Sequence, residues 1–375
     1  MKLPMKVGVI KLGSRISFNA NDTSGGNGEA RSIIKMLHGG GADVEIFTKI
    51  LKKDTLLPEY TWRDIGTDWW AVGTVDALVV LNGSVNFFGG AEDKEQLLNY
   101  RMINSFSGPI FYIYCDPELT LKQVWPSVSK KAWAGNWREE HLNITKKDII
   151  YLCQPYDVER IMKDLKKNEI IPQCITHFPF EKFPCLNERL PFNPTPEVDL
   201  SYGGTMRGGK REKKMVKFYF GHPSEISVEM FGKIELKDFS EKLLMGLSTT
   251  PKFTGPIRYD EMLPKMNRAM AHCVIGDPYY EQINDMPQRT HESIWSSVVT
   301  FIDADMDKMR RVYGTDKTLS DFLYVSERKE LSEKILLLKT DTNLRKQILE
   351  DQLNAVGFDP RAYCESFVEE IKTWI

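Results

Sequence analysis

The chain has no apolar run approaching the roughly 18 residues that a membrane-spanning helix needs, so none is expected. It also opens almost at once on a strand-like run, Val7-Gly8-Val9-Ile10, which leaves no apolar region for a secretory signal. Its six cysteines (Cys115, Cys153, Cys174, Cys185, Cys273, Cys364) are scattered and form no CxxC pair, which argues against zinc or dithiol chemistry. Several lie inside apolar runs and read as small core residues of a reducing compartment. The histidines (His38, His141, His177, His222, His272, His291) show no metal-ligand spacing, and each reads as structural. Charge of either sign is not in excess: the formal net charge is −2, which excludes a constitutive nucleic-acid coat protein. A local basic surface that touches DNA transiently stays compatible with that balance. Repeats and low-complexity segments are absent. A soluble, cytoplasmic globular protein is the expectation.

What is present is enough for two cores. The 375 residues favour two domains, and 42% hydrophobic content allows each a substantial interior. In the first half, strand-like runs at 6–11, 44–47, 75–81 and 110–115 alternate with helix-like stretches at 29–37 and 94–106. Glycines 39–41 stop the first of those helices. A second α/β series starts at Val198 and continues through 227–231, 272–275 and 298–302. Between the series, Pro184, Pro191, Pro194 and Pro196 mark an interdomain linker. From about 331 onward the chain is helical and charged, and Pro360 separates a final helix, 362–374. Tyr363, Phe367, Ile371 and Trp374 recur there at helical spacing and should dock an apolar stripe. The fold class expected is α/β, with parallel, doubly wound sheets facing a cleft. Ligands then bind beyond the carboxyl ends of the strands.

The most informative stretch is 201–214, Ser-Tyr-Gly-Gly-Thr-Met-Arg-Gly-Gly-Lys-Arg-Glu-Lys-Lys, which reads as strand, glycine loop, helix. Gly203, Gly204, Gly208 and Gly209 let backbone N–H groups approach an anion, and the helix start adds positive potential. Arg207 and Arg211, four apart, suit a bidentate clamp on a diphosphate. The spacing Gly204-x4-Gly209-Lys210 imitates a Walker A loop, but Arg211 stands where Ser or Thr would hold magnesium. Such a loop fits the retention of a diphosphate leaving group better than triphosphate hydrolysis, and so points to a nucleotide-sugar enzyme. A basic turn on a solvated helix is the competing reading.

Other candidates sit just after strands. Asp116 follows the 110–115 strand, where a carboxylate could take a proton from an acceptor hydroxyl; Asp116-Pro117-Glu118 is equally a helix N-cap. Glu29 opens the first helix after the glycine loop 25–28, a placement the helix dipole explains as well as a ligand does. The segment 81–90 ends a strand with amides, two phenylalanines and two glycines, suited to bases or sugar or to a simple packed turn. Arg289 and Glu292 could bind phosphate and ribose hydroxyls, or pair on a solvated face. Residues 253–257 would offer backbone atoms to a base edge. Lys130-Lys131-Ala132-Trp133 and Trp137-Arg138 interleave cations with aromatics, as nucleic-acid contacts do, and the segment holding Trp62, Trp69 and Trp70 is equally ambiguous.

Taken in order, these segments resemble the DNA β-glucosyltransferase family of T-even bacteriophages. The resemblance is carried by 82–90 (Asn-Gly-Ser-Val-Asn-Phe-Phe-Gly-Gly), Asp116 and Gln123-Val124-Trp125-Pro126. It continues through Tyr202-Gly203-Gly204-Thr205-x-Arg207-x-Gly209-x-Arg211-Glu212-x-Lys214-Met215-Val216, Phe253-Thr254-Gly255, Ile275-Gly276-Asp277 and Arg289-x2-Glu292, and spans essentially the whole chain. It implies a GT-B fold of two Rossmann-like domains: 1–183 on the acceptor side, a linker at 184–197, 198–357 binding a UDP-sugar, and 358–375 packing back on the first domain. The implied reaction moves glucose from UDP-glucose to the hydroxymethyl group of 5-hydroxymethylcytosine in duplex DNA, with inversion and base flipping.

By position, the resemblance makes Asp116 the general base, with Glu29 near acceptor and sugar. Gly204, Thr205, Arg207 and Arg211 would hold the diphosphate, Glu292 the ribose and the Ile257 backbone the uracil. Asp277, Tyr280 and Arg289 would shape the sugar-phosphate pocket. Asn86, beside Phe87, would enter the space left by the flipped base, and Lys130 and Lys131 would touch DNA. No dedicated metal site is expected; Mg2+ or Mn2+ would act on the UDP leaving group. A monomer working in the host cytoplasm, away from membranes, completes the expectation. Extra residues around 24–28 and 53–70, and one more between Asp277 and Arg289, depart from the family pattern. The last lies near the sugar pocket, so arabinose in place of glucose is the alternative donor sugar, and a silent DNA- or nucleotide-binding paralogue is the alternative class.

Overall fold

The computed structural model describes residues 4–12, 15–19, 25–82, 94–114, 149–153, 174–206, 211–276, 280–281, 286–314 and 317–375. They fall into two compact units, Met1–Leu186 with Asp359–Ile375, and Asn187–Phe358.

In the first unit, strands β1 (Lys6–Leu12), β2 (Asp43–Thr48), β3 (Thr61–Asp64), β4 (Ala77–Asn82), β5 (Ile110–Tyr114), β6 (Ile149–Cys153) and β7 (Cys174–His177) form one sheet in the order β3-β2-β1-β4-β5-β6-β7. Every pairing is parallel. Parallel strands are covered on both faces, which explains why Val7, Val9 and Ile10 of β1 and Leu78, Val79 and Val80 of β4 are all buried, without polar alternation. Helices α1 (Gly25–Gly39) and α2 (Lys94–Ser105) belong to this unit. Helix α1 buries Ala30, Ile33, Ile34 and Leu37.

The helix begins at Gly25, so Glu29 lies a full turn inside it and does not open it. Glycine costs a helix only about 1 kcal/mol per position, which the buried apolar face outweighs.

The second unit carries β8 (Val198–Thr205), β9 (Val228–Lys233), β10 (Lys252–Phe253), β11 (Ala269–Val274), β12 (Val299–Asp303) and β13 (Tyr324–Val325), again parallel, in the order β10-β9-β8-β11-β12-β13. Its helices are α3 (Glu212–Tyr219), α4 (Glu241–Leu244), α5 (Met262–Asn267), α6 (Arg289–Trp295), α7 (Lys317–Leu323), α8 (Arg328–Thr340) and α9 (Thr342–Val356). Leu200, Met230, Ala271 and Phe301, one from each central strand, lie fully buried in the sheet.

The last helix, α10 (Pro360–Lys372), belongs to the first unit. Asp359 caps it, accepting from the Arg361 and Ala362 amides, and Pro360 occupies the first turn, where its missing N–H costs nothing. Tyr363, Phe367 and Ile371 are buried, and Phe178 packs on the rings of Tyr363 and Phe367. Trp374, expected in the same stripe, lies beyond the helix and is 39% exposed. The turn after α1 comes so close to α10 that a Cβ at Gly40 would stand 2.4 Å from the Cys364 carbonyl oxygen. The proline-rich stretch expected as the interdomain linker spans the boundary between the two units. Pro184 is buried within a 3-10 turn (Phe180–Leu186). Residues after it bond into the second unit, where the Asn187 carbonyl accepts from Trp295 Nε1 and those of Asn193 and Pro194 from Arg345.

Candidate active site

In the second unit Thr205 and Arg211 follow β8, Ile257 follows β10, Tyr280 follows β11, and Arg289 and Glu292 lie on α6. Strand β8 runs on through Gly203, Gly204 and Thr205, so the first two glycines of the presumed loop are strand residues. Their lack of a side chain is a packing requirement: a Cβ at Gly203 would lie 2.3 Å from the Phe231 ring. Gly232, paired with Gly204, has φ +112°, and a Cβ there would stand 1.9 Å from the Gly204 carbonyl oxygen. Its amide donates to the Gly255 carbonyl at 2.8 Å. Three glycine backbones thus meet where two strands end, a bare peptide surface that a ligand can approach closely. Ile257, two residues beyond Gly255, is partly buried against Phe231, Met266 and Val298.

Arg211 sits at the N-cap of α3 and donates through Nη1 to the Tyr202 hydroxyl at 3.4 Å. Its Nε is buried without a hydrogen-bond partner. A guanidinium half-fixed by a tyrosine and still holding an unmet donor is prepared for an anion. Tyr202 packs edge-on to Tyr219, whose hydroxyl receives the Cys273 amide and donates to the Cys273 carbonyl. That tie fixes α3 to β11. Tyr202 also stacks on His272, which is completely buried. Desolvation first, then the nearby Arg289 charge, brings the His272 pKa down to about 3, with a Ser201 backbone contact opposing in part. The imidazole is therefore neutral near pH 7.

Arg289 and Glu292, on α6, do pair, with Nη1 and Oε2 2.7 Å apart, but not on a solvated face. Their side chains are 22% and 7% exposed. The contact is electrostatic more than directional, because Glu292 Oε2 makes no hydrogen bond of acceptable geometry. A buried carboxylate oxygen with capacity to spare suits a pair of ligand hydroxyls. Tyr280 is buried, Gly204 partly exposed and Thr205 exposed. Lys214, one turn past Arg211, makes ion pairs with both Asp303 and Glu281. This three-membered group was not anticipated, and neither was the part played by Gly232 and His272.

In the first unit Glu29 is partly exposed on α1, and the strand ends at Leu12, Asn82 and Tyr114 lie on one edge of the parallel sheet. Asp116, Asn86, Phe87, Lys130, Lys131, Arg207 and Asp277 lie outside the described residues. Among the described residues no group of three or more His, Cys, Asp or Glu side chains could hold a metal ion, and no helix is long and apolar enough to cross a membrane.

The profile of the bacteriophage T4 beta-glucosyltransferase family matches residues 5–184. The DNA beta-glucosyltransferase of Enterobacteria phage T4 is 29% identical over 351 residues, which is 93% of either chain. The crystal structure of the T4 phage protein with its UDP-glucose substrate superposes with a TM-score of 0.78 at 25% identity, covering 99% of both chains. The T4 protein with UDP and Mn2+ gives 0.79 at 27%, over 98% of this chain and 99% of that one. A glycosyltransferase of avilamycin A biosynthesis shares the fold alone, with a TM-score of 0.54 at 12% identity over 99% and 98%. The two parallel α/β units have the GT-B fold, and the likeness to the phage T4 enzyme makes the chain a glycosyltransferase. Within that class the chain is similar to the bacteriophage T4 beta-glucosyltransferases, over its first half by the family profile and over 93% of its length to the phage T4 protein.

Proposed function

We propose that the protein is an inverting DNA glucosyltransferase that moves glucose from UDP-glucose to the hydroxymethyl group of 5-hydroxymethylcytosine in double-stranded DNA. The observation that carries this reading is the cluster at the carboxyl edge of the second sheet. There Arg211, with a buried donor that has no partner, reaches Tyr202 beside Gly204, and on α6 Glu292 keeps a buried carboxylate paired with Arg289. These groups have the chemistry a nucleoside diphosphate calls for: a cation for the anion, a carboxylate for ribose hydroxyls, and glycine amides. The T4 relative, whose structure was determined with UDP-glucose, supports the same donor.

In this reading the second unit holds the donor. Arg207, Arg211 and the Gly204 and Thr205 backbone bind the diphosphate, Glu292 the ribose, and the Ile257 backbone the uracil. Asp277, Tyr280 and Arg289 border the sugar and its phosphate. The first unit serves the acceptor. Asp116 takes the hydroxymethyl proton as that oxygen attacks the anomeric carbon, with Glu29 beside acceptor and sugar. The bond from that carbon to the diphosphate breaks, UDP leaves with the electron pair, and its charge is met by the arginines. One displacement inverts the anomeric centre. A cytosine inside a duplex cannot present its hydroxymethyl group to such a site, so it must be flipped out. Asn86 and Phe87 fill the vacated space, and Lys130 and Lys131 hold the backbone. A divalent ion, if used, would be held by the diphosphate oxygens and would offset charge on the departing UDP. The protein works as a monomer on phage DNA in the host cytoplasm.

The test is to incubate the protein with hydroxymethylcytosine duplex DNA and, separately, UDP-glucose and UDP-arabinose, and to weigh the released nucleosides by mass spectrometry. A hexose increment with UDP-glucose is the expected result. A pentose increment from UDP-arabinose alone would move the chain to an arabinosyl activity. No increment from folded protein that binds UDP would overturn the enzymatic reading.

A further inference from the structure

The Lys214 ammonium joins two carboxylates far apart in the chain. Asp303 ends β12, is 0% exposed, and uses its other oxygen to accept the Asp305 amide. Glu281 adjoins Tyr280 and is 20% exposed, against 16% for Lys214 itself. Lys214 stands three residues after Arg211, in the first turn of α3. One side chain therefore links three things: the helix whose start carries Arg211, the end of a central strand, and the turn that carries Tyr280. Burial pushes the Lys214 pKa down, but the hydrogen bonds it donates to Asp303 and Glu281, with their charges, more than reverse this, so the amine is held charged.

We propose that Lys214 is a positioning residue for the sugar end of the donor site, with Asp303 as its anchor and Glu281 as the arm that holds Tyr280 in place. The inference rests on the donor site proposed above and adds a division of labour to it. Arg211 and Tyr202 hold the diphosphate end through a separate contact, so loosening Glu281 should release the sugar end and leave the nucleotide end intact. Asp303 makes the anchor rigid: a fully buried carboxylate cannot leave its cation without large cost. Glu281, partly exposed, is the arm that can be cut.

The decisive variant is Glu281→Ala, which leaves the buried Lys214–Asp303 pair in place and so spares the fold. Its KM for UDP-glucose should rise about tenfold, the scale of one lost charge-assisted contact. The dissociation constant for UDP alone, read by calorimetry, and the KM for DNA should stay within about twofold of wild type. Lys214→Met should reproduce this split wherever it folds, and Lys214→Arg, whose fork can still reach both carboxylates, should restore it. Equal weakening of UDP and UDP-glucose, or an unchanged UDP-glucose KM with only a lowered Tm, would overturn the proposal. The donor reading fails differently, by wild-type protein that neither binds nor uses UDP-glucose.

Discussion

His272 offers a prediction that follows from burial alone. It is fully enclosed between β8 and β12, neither ring nitrogen has a hydrogen-bond partner of acceptable geometry, and the Arg289 charge lies nearby. Its folded pKa is about 3, against 6.5 when the chain is unfolded. Because the folded value is the lower one, the native state binds fewer protons than the unfolded state throughout that interval. The stability contributed by keeping the ring neutral is therefore fully present above the unfolded value and is lost as pH falls below it. At 1.36 kcal/mol per unit, the loss is about 2 kcal/mol by pH 5 and about 3 by pH 4. His222, also buried and lowered by desolvation, adds to the same trend. Two measurements check the reasoning. The His272 Cε1–H resonance should not move between pH 8 and pH 5 in folded protein. Urea unfolding followed at pH 7.5 and pH 5.0 should show a smaller stability difference, by about 2 kcal/mol, in His272→Phe than in wild type. Phenylalanine keeps a flat ring against Tyr202, removes both unpartnered nitrogens and cannot be protonated. If the resonance titrates near 6.5 in the folded state, or the variant keeps the full wild-type slope, the burial argument is wrong.

Arg211→Ala should lower kcat/KM for UDP-glucose by about 10²–10³ through lost charge stabilisation, with DNA affinity by gel shift unchanged; loss of DNA binding with donor binding intact would refute the diphosphate role. Glu292→Gln should weaken UDP binding about tenfold in calorimetry yet barely change binding of 2′-deoxy-UDP, since the lost contact is to a ribose hydroxyl. Gly232→Ala should destabilise the second unit by about 3 kcal/mol or more in urea unfolding, because its Cβ would lie 1.9 Å from the Gly204 carbonyl oxygen at a φ of +112°. Asp116→Ala should keep UDP and DNA binding but lose about 10²–10⁴ of turnover if the carboxylate is the base; a less stable variant with full turnover per folded molecule would make it a helix cap.

The strands most legible in the sequence are those buried on both faces. Val7–Ile10 and Leu78–Val80 hold no polar residue and Val299–Ile302 only a buried Thr300, because central strands of a parallel sheet meet helices on either side. Strands β3 and β13 escaped notice for the opposite reason, and β10 was legible only as a strand end at Phe253. They lie at sheet edges, and Thr61–Asp64 carries Trp62, Arg63 and Asp64 in place of an apolar run. Neighbouring β6 and β7, Ile149–Cys153 and Cys174–His177, are apolar enough but short and widely separated in sequence. Helix α1 was legible from Glu29 onward and illegible over Gly25–Gly28, where local propensity points to a loop although the chain is already helical.

The site divides in the same way, along sequence distance. Arg211, Arg289 and Glu292 could be singled out because their chemistry is concentrated within a few residues of a strand end. What could not be seen is whether a local pair is buried. Arg289 and Glu292 at i,i+3 spell a solvated salt bridge, and only the packing of Met262 and Met266 against the arginine shows that it is not one. Lys214 is the sharper case. It lies inside the most informative motif in the chain, flanked by Lys213 and one turn from Arg211, and reads there as one more solvated cation. Its partners are 67 and 89 residues away and carry no motif of their own; each is an acid after an apolar or aromatic residue, Asp303 after Ile302 and Glu281 after Tyr280. A positioning contact of this kind exists only once β12 lies two strands from β8, which is a property of topology. Groups that touch a ligand tend to gather in short motifs, since one turn of backbone can present several of them. Groups that hold those motifs still are drawn from whatever the fold brings alongside.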